Sequence, residues 1–135
     1  MSSPPFNLVQ LDHVVLRVMD MPRALAFYCG VLGCSEERRV PQFGLVQLRA
    51  GAALIDLLDI SQRPGAGPAT KDARNMDHFA LTILPFDAAA IRAHLAANGV
   101  DCGALEQRYG AQGTGPSLYI HDPDGNQVEL KGPPV

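Results

Sequence analysis

Histidines and carboxylates recur in this sequence at matching places. His13 lies in Leu11-Asp12-His13-Val14-Val15-Leu16-Arg17-Val18, and His78 in Met76-Asp77-His78-Phe79-Ala80-Leu81-Thr82-Ile83, 65 positions later. Asp56 interrupts the apolar run Ala53 to Leu58, and Glu129 sits in the run Gln127 to Lys131. Imidazole nitrogens and carboxylate oxygens are ligands for divalent transition metals, and carboxylates also carry protons to and from a substrate. If all four groups turned into one partly apolar cleft, desolvation and acid–acid repulsion would cost several kcal/mol unless protons or a cation compensated. A divalent metal resolves that conflict. Two nitrogens and two oxygens without a thiolate suit Zn, Mn, Fe, Co or Ni.

The elements that would position these groups also repeat. Each histidine motif alternates at period two, as a half-buried strand does, and each is followed by an Ala-rich helical stretch. Asp20 is the expected N-cap of the first helix, which runs to about Leu32 with Gly33 as terminator; Asp87 caps the second, which runs to Asn98 with Gly99. Leu25, Cys29 and Leu32 share one helical face, as do Ala88, Ile91 and Leu95. Strand-like runs follow at about 36–40, 45–49 and 53–58, and again at 100–105, 117–121 and 127–131. Asp124-Gly125 marks a hairpin between the last two. The unit is β-α-β-β-β used twice, an α+β chain read as one domain over residues 1–135, with repeats at about 8–60 and 76–131 and a connector at about 61–75. The Gly-rich stretch Tyr109 to Gly115 lacks the Lys-Ser/Thr ending of a phosphate loop and precedes a strand, so it reads as a mobile loop, and 108–116 as part of the pocket wall.

Alternation sorts the faces. Val14, Leu16 and Val18 pack under the first helix with His13, Val15 and Arg17 opposite, and Phe79, Leu81 and Ile83 oppose His78, Ala80 and Thr82. Ser117, Tyr119 and His121 alternate with Leu118 and Ile120. If the helix-free faces curve together, His13, Asp56, His78 and Glu129 converge, and Arg17, Gln47, Tyr119 and His121 become candidate substrate contacts.

Composition narrows the function classes. Of 135 residues 47% are hydrophobic and 19% charged, which excludes a disordered chain, and no apolar run is long enough to span a bilayer. Eleven basic against fourteen acidic residues, with no basic cluster, argue against nucleic acid as a partner. The N-terminus lacks the basic and apolar regions of a secretory signal, so a cytoplasmic protein is expected. Cys29, Cys34 and Cys102 form no Cys-x-x-Cys pair and read as buried free thiols.

The two-fold β-α-β-β-β order, the Leu-Asp-His opening, Phe27-Tyr28 with Val31-Leu32-Gly33, Met76-Asp77-His78, and His121-Asp122-Pro123-Asp124-Gly125-Asn126-Gln127-Val128-Glu129-Leu130 together resemble the vicinal oxygen chelate superfamily. That group includes glyoxalases, bleomycin resistance proteins, extradiol dioxygenases and fosfomycin-modifying transferases. The resemblance implies an open, cup-shaped, eight-stranded mixed sheet with helices outside, a homodimer, and one divalent metal (Zn, Ni, Mn, Co or Fe) chelating neighbouring oxygens of a small molecule. It assigns His13, His78 and Glu129 as ligands. Asp56 stands where type-I glyoxalases carry a longer carboxylate, as a fourth ligand or an acid beside the metal. Ser117 and Tyr119 resemble a substrate-holding Ser-x-Tyr of fosfomycin transferases, although the chain ends before the downstream Arg of those enzymes. Four ligands imply a glyoxalase- or lyase-like reaction with Glu129 or Asp56 moving the proton; three imply a two-His, one-carboxylate site suited to dioxygenase chemistry with Fe. The competing expectation is a metal-independent protein of the bleomycin-resistance type that sequesters a small molecule.

Overall fold

The computed structural model describes residues 3–31, 33–63, 74–121 and 127–135. In order these form β1 (Asn7–Val18), α1 (Met21–Leu25), a π-helical turn (Ala26–Val31), β2 (Ser35–Val40), a 3-10 turn (Pro41–Phe43), β3 (Leu45–Ala50), β4 (Ala53–Asp59), β5 (Met76–Leu84), α2 (Ala88–Ala97), β6 (Glu106–Gly110), β7 (Gly113–His121) and β8 (Gln127–Lys131). Strand, helix and three strands therefore occur twice, with mixed pairing, in the α+β arrangement that the repeat predicts. The chain divides into two compact units, His13–Asp77 and Met1–Asp12 with His78–Val135, so β1 contributes to both.

In the unit His13–Asp77 the strand order is β2-β3-β4-β1. β1 runs parallel to β4 with His13 opposite Leu54 and Val15 opposite Asp56. β3 runs antiparallel to β4 with Gln47 opposite Asp56. Leu16, Val18, Ile55 and Leu57 point the other way and pack with Met21, Ala24, Leu25, Tyr28 and Cys29 around Val46 and Leu48. The Asp20 carboxylate accepts from the Arg23 N–H, as the N-cap reading requires. Beyond Leu25, however, the expected α-helix widens into a π-helical turn. Bulky Phe27 and Tyr28 next to Gly30, a weak helix former, favour that widening, and it leaves Phe27 exposed while Tyr28 and Cys29 face the core. Gly33 ends the segment at a φ of 86°. Leu32 lies outside the described residues.

In the other unit the order is β5-β8-β7-β6, and Asn7–Asp12 of β1 belongs to the same body. Asp87 caps α2 through Ala90 N, and Gly99 at a φ of 70° ends it. Ile91 and Leu95 pack on Ile83, Leu118, Val128 and Leu130, each such side chain contributing roughly 1.5–3 kcal/mol by leaving water. β5 pairs parallel with β8, Ala80 opposite Glu129, and β7 antiparallel with β8, Tyr119 opposite Glu129. β7 and β8 close with His121 opposite Gln127. The Asp124-Gly125 turn and the rest of Asp122 to Asn126 lie outside the described residues, as does most of the connector, 64–73.

Two expectations are corrected. The strand expected at 100–105 is irregular chain: Val100 N–H returns to Leu95 O, Gly103 N–H bonds Tyr119 O, and Val100 and Cys102 pack against the core. The strand lies instead at Glu106–Gly110, within what read as a mobile Gly-rich loop, and Tyr109 to Gly115 is a hairpin with Tyr109 opposite Thr114. Its glycines serve close approach. A Cβ on Gly110 would overlap the Asp12 carboxylate and the Lys131 stem, and one on Gly115 the backbone of Gly132 and Pro133. The three thiols are free, as expected, but half-buried.

Candidate functional site

The parallel pair β5–β8 places His78 and Glu129 on one face, since Ala80, opposite Glu129, is two residues beyond His78. His78 Nε2 and Glu129 Oε1 lie 3.3 Å apart, with Glu129 only 1% exposed. Two ligand atoms at about 2.1 Å from one tetrahedral ion stand roughly 3.4 Å apart. An imidazole nitrogen and a carboxylate oxygen at this spacing therefore fit a divalent metal chemically and geometrically. Tyr119, from β7, meets the His78 ring edge-on with centroids 5.4 Å apart. The Arg108 guanidinium lies over the Tyr119 ring, 4.0 Å from its centre, and donates to Ser117 Oγ at 3.0 Å. His121, farther along β7, is exposed.

The unit His13–Asp77 repeats the register. His13 stands opposite Leu54 and Asp56 lies two residues on, just as His78 stands opposite Gln127 and Glu129 lies two residues on. Gln47 opposes Asp56 as Tyr119 opposes Glu129. His13, Gln47 and Asp56 are all buried. Gln47 Nε2 donates to Asp56 Oδ2 at 2.8 Å, which orients that carboxylate from the neighbouring strand. Arg17, two rungs past Val15, is half-buried, with Nη1 3.5 Å from Arg74 O.

Sequence reasoning missed a buried network beneath Glu129. Lys131 Nζ donates to Gly113 O at 2.9 Å and Gly132 O at 3.2 Å. Burial draws its ammonium below the usual lysine range, against the attraction of the Asp12 and Glu129 carboxylates. Asp12 accepts from Ala111 N–H at 3.0 Å and Thr82 Oγ1 at 3.2 Å. Alternation offered the signal: Asp12 shares its face with Val14, and a carboxylate on a core-facing rung calls for a partner. Arg108 was hidden by reading its strand as a loop.

Strand order, repeat and donor set together define a class of metal-capable two-repeat α+β proteins. The model of the Glyoxalase/Bleomycin resistance protein/Dioxygenase superfamily matches residues 10–130, and the chain belongs to that family. It is 32% identical over 135 residues to the human mitochondrial methylmalonyl-CoA epimerase, covering 93% of this chain and 75% of that protein. It is 30% identical over 126 residues to the Salmonella typhimurium virulence protein STM3117, covering 90% and 82%. Among solved structures, an extradiol ring-cleaving dioxygenase from B. fuscum superposes with a TM-score of 0.68 at 20% identity, over 98% of this chain and 34% of that one. Relatives thus include an epimerase, and the fold is shared with a dioxygenase. No helix among the described residues is long and apolar enough to cross a membrane.

Proposed function

We propose that this protein is a divalent-metal-dependent enzyme that moves a proton next to a carbonyl in a small molecule bearing neighbouring oxygens, an isomerase- or lyase-type reaction. His13, His78 and Glu129 are the proposed ligands, and Asp56, oriented by Gln47, is the second carboxylate. The observation that carries this reading is the buried His78–Glu129 pair at 3.3 Å. The matching register of Asp56 and Glu129 supports it, because each repeat then supplies one carboxylate, Glu129 for the metal and Asp56 for the proton. The 32% identity to an epimerase points the same way.

A divalent ion held by these residues would supply positive charge to the substrate oxygens beside the proton that moves. The chain does the rest. Gln47 fixes one Asp56 oxygen so that the carboxylate presents the same geometry before and after it takes a proton. Tyr119 and Ser117 line the strand beside Glu129 and are the proposed substrate contacts, with Arg17 and His121 at the strand ends. Likeness to the dioxygenase at 20% identity speaks for the fold and lends no weight to oxygen chemistry.

Elemental analysis and calorimetry test the reading. Protein purified without chelator should carry a stoichiometric divalent ion, and proton exchange into a bound carbonyl compound, followed by NMR in deuterated water, should stop on chelation. Absence of metal binding under metal-replete conditions would favour a sequestering protein instead.

A further inference from the structure

The arginine missed in the sequence speaks to what the substrate carries. Arg108 stands opposite Gly115, which has no side chain, so the guanidinium leans diagonally onto Ser117 and over Tyr119. Nη1 donates to Ser117 Oγ at 3.0 Å and Ser117 O at 3.3 Å, and Nη2 to Glu106 Oε2 at 2.8 Å. A guanidinium has five N–H donors. Among the described residues these three bonds leave two donors unengaged, on a side chain only 21% exposed. The Glu106 side chain is 59% exposed, and an ion pair with one partner in water is held weakly, so a better-placed anion can displace it. The Tyr119 ring that the cation covers is the ring that meets His78.

We propose that Arg108 is the specificity-determining residue of this site and selects a substrate that carries an anionic oxygen group, such as a carboxylate, in addition to its vicinal oxygens. The proposal rests on the metal-dependent reading above. Ser117 holds one edge of the guanidinium and Tyr119 supports its plane, so the remaining donors are presented with little freedom left to lose. An arginine serving only to pin the edge strand β6 to β7 would be indifferent to the charge of a ligand.

Two pairs of probes share the same chelating oxygens and differ by one carboxylate placed away from them: catechol with 3,4-dihydroxybenzoate, and catechol with 3-(3,4-dihydroxyphenyl)propanoate. Their affinities for the Mn-loaded protein can be read by calorimetry and by the Mn EPR signal. The wild type should prefer at least one carboxylated probe, and Arg108→Gln should erase about 10-fold or more of that preference while leaving catechol affinity unchanged. Arg108→Lys, which keeps the charge without the fork, should retain part of it. If Arg108→Gln does not fold, as judged by circular dichroism, Arg108→Lys and Arg108→Met carry the same comparison. An unchanged preference in the folded variants, or no preference in the wild type, overturns the role of Arg108 alone. Failure of every probe to bind Mn-loaded protein overturns the vicinal-oxygen reading and this proposal with it.

Discussion

Asp56 and Glu129 occupy equivalent rungs, yet their neighbours differ. A Gln47 amide bonds one, and an imidazole faces the other. That difference underlies the division of labour proposed above, with Glu129 as ligand and Asp56 as proton carrier. His13→Ala, His78→Ala and Glu129→Gln are each expected to weaken metal affinity by more than the ~10- to 100-fold that losing a supporting partner costs, with Asp56→Asn staying inside that range. Competitive titration against a fluorescent chelator measures all four, and a loss at Asp56 equal to that at Glu129 would make it a fourth ligand. The strand faces that carry these groups were legible in the sequence because period-two alternation assigns a face without any knowledge of tertiary structure. The Gln47–Asp56 bond was not, since strand alternation says nothing of which rung lies opposite which.

At the level of elements, the helix caps and most strand limits followed from local chemistry, and the region 100–115 did not. Val100 and Cys102 are taken up by the docking of the chain after α2 while Leu105 stays exposed, and β6 forms from the less apolar Glu106–Gly110, pinned by β7. Glycine spacing there reflects crowding by Asp12 and Lys131, which no local rule anticipates. Gly110→Ala should therefore destabilise by about 1–3 kcal/mol through overpacking, whereas Gly30→Ala, where nothing lies within 4 Å of an added Cβ, should not. Urea midpoints of the two variants test the contrast. Asp12→Ala should cost more, about 3–5 kcal/mol, because it strips an ammonium with 1% exposure of a compensating carboxylate. Adding Lys131→Met to that variant should restore part of the loss, and a double variant no more stable than Asp12→Ala would show that the two charges are uncoupled.

For the molecule as a whole, each unit has its own apolar cluster, and chelation is expected to leave both folded. An ion that binds only the native chain should still raise the melting temperature, by the equivalent of ~2.7 kcal/mol at a free concentration 100 times its dissociation constant. Differential scanning calorimetry over a metal series checks the logarithmic dependence. The boundary between the units falls at the same step of both copies, after Asp12 and after Asp77. The segment that repeats in the sequence is therefore not the segment that folds as a body: each copy of the motif donates the start of its first strand to the other unit. A gene cut between the copies would leave the later half without Phe6, which packs on its cluster, and without Asp12, whose carboxylate receives Thr82 and Ala111. A single copy of the motif standing alone would meet the same deficit, and only the strand start of a second copy supplies what it lacks.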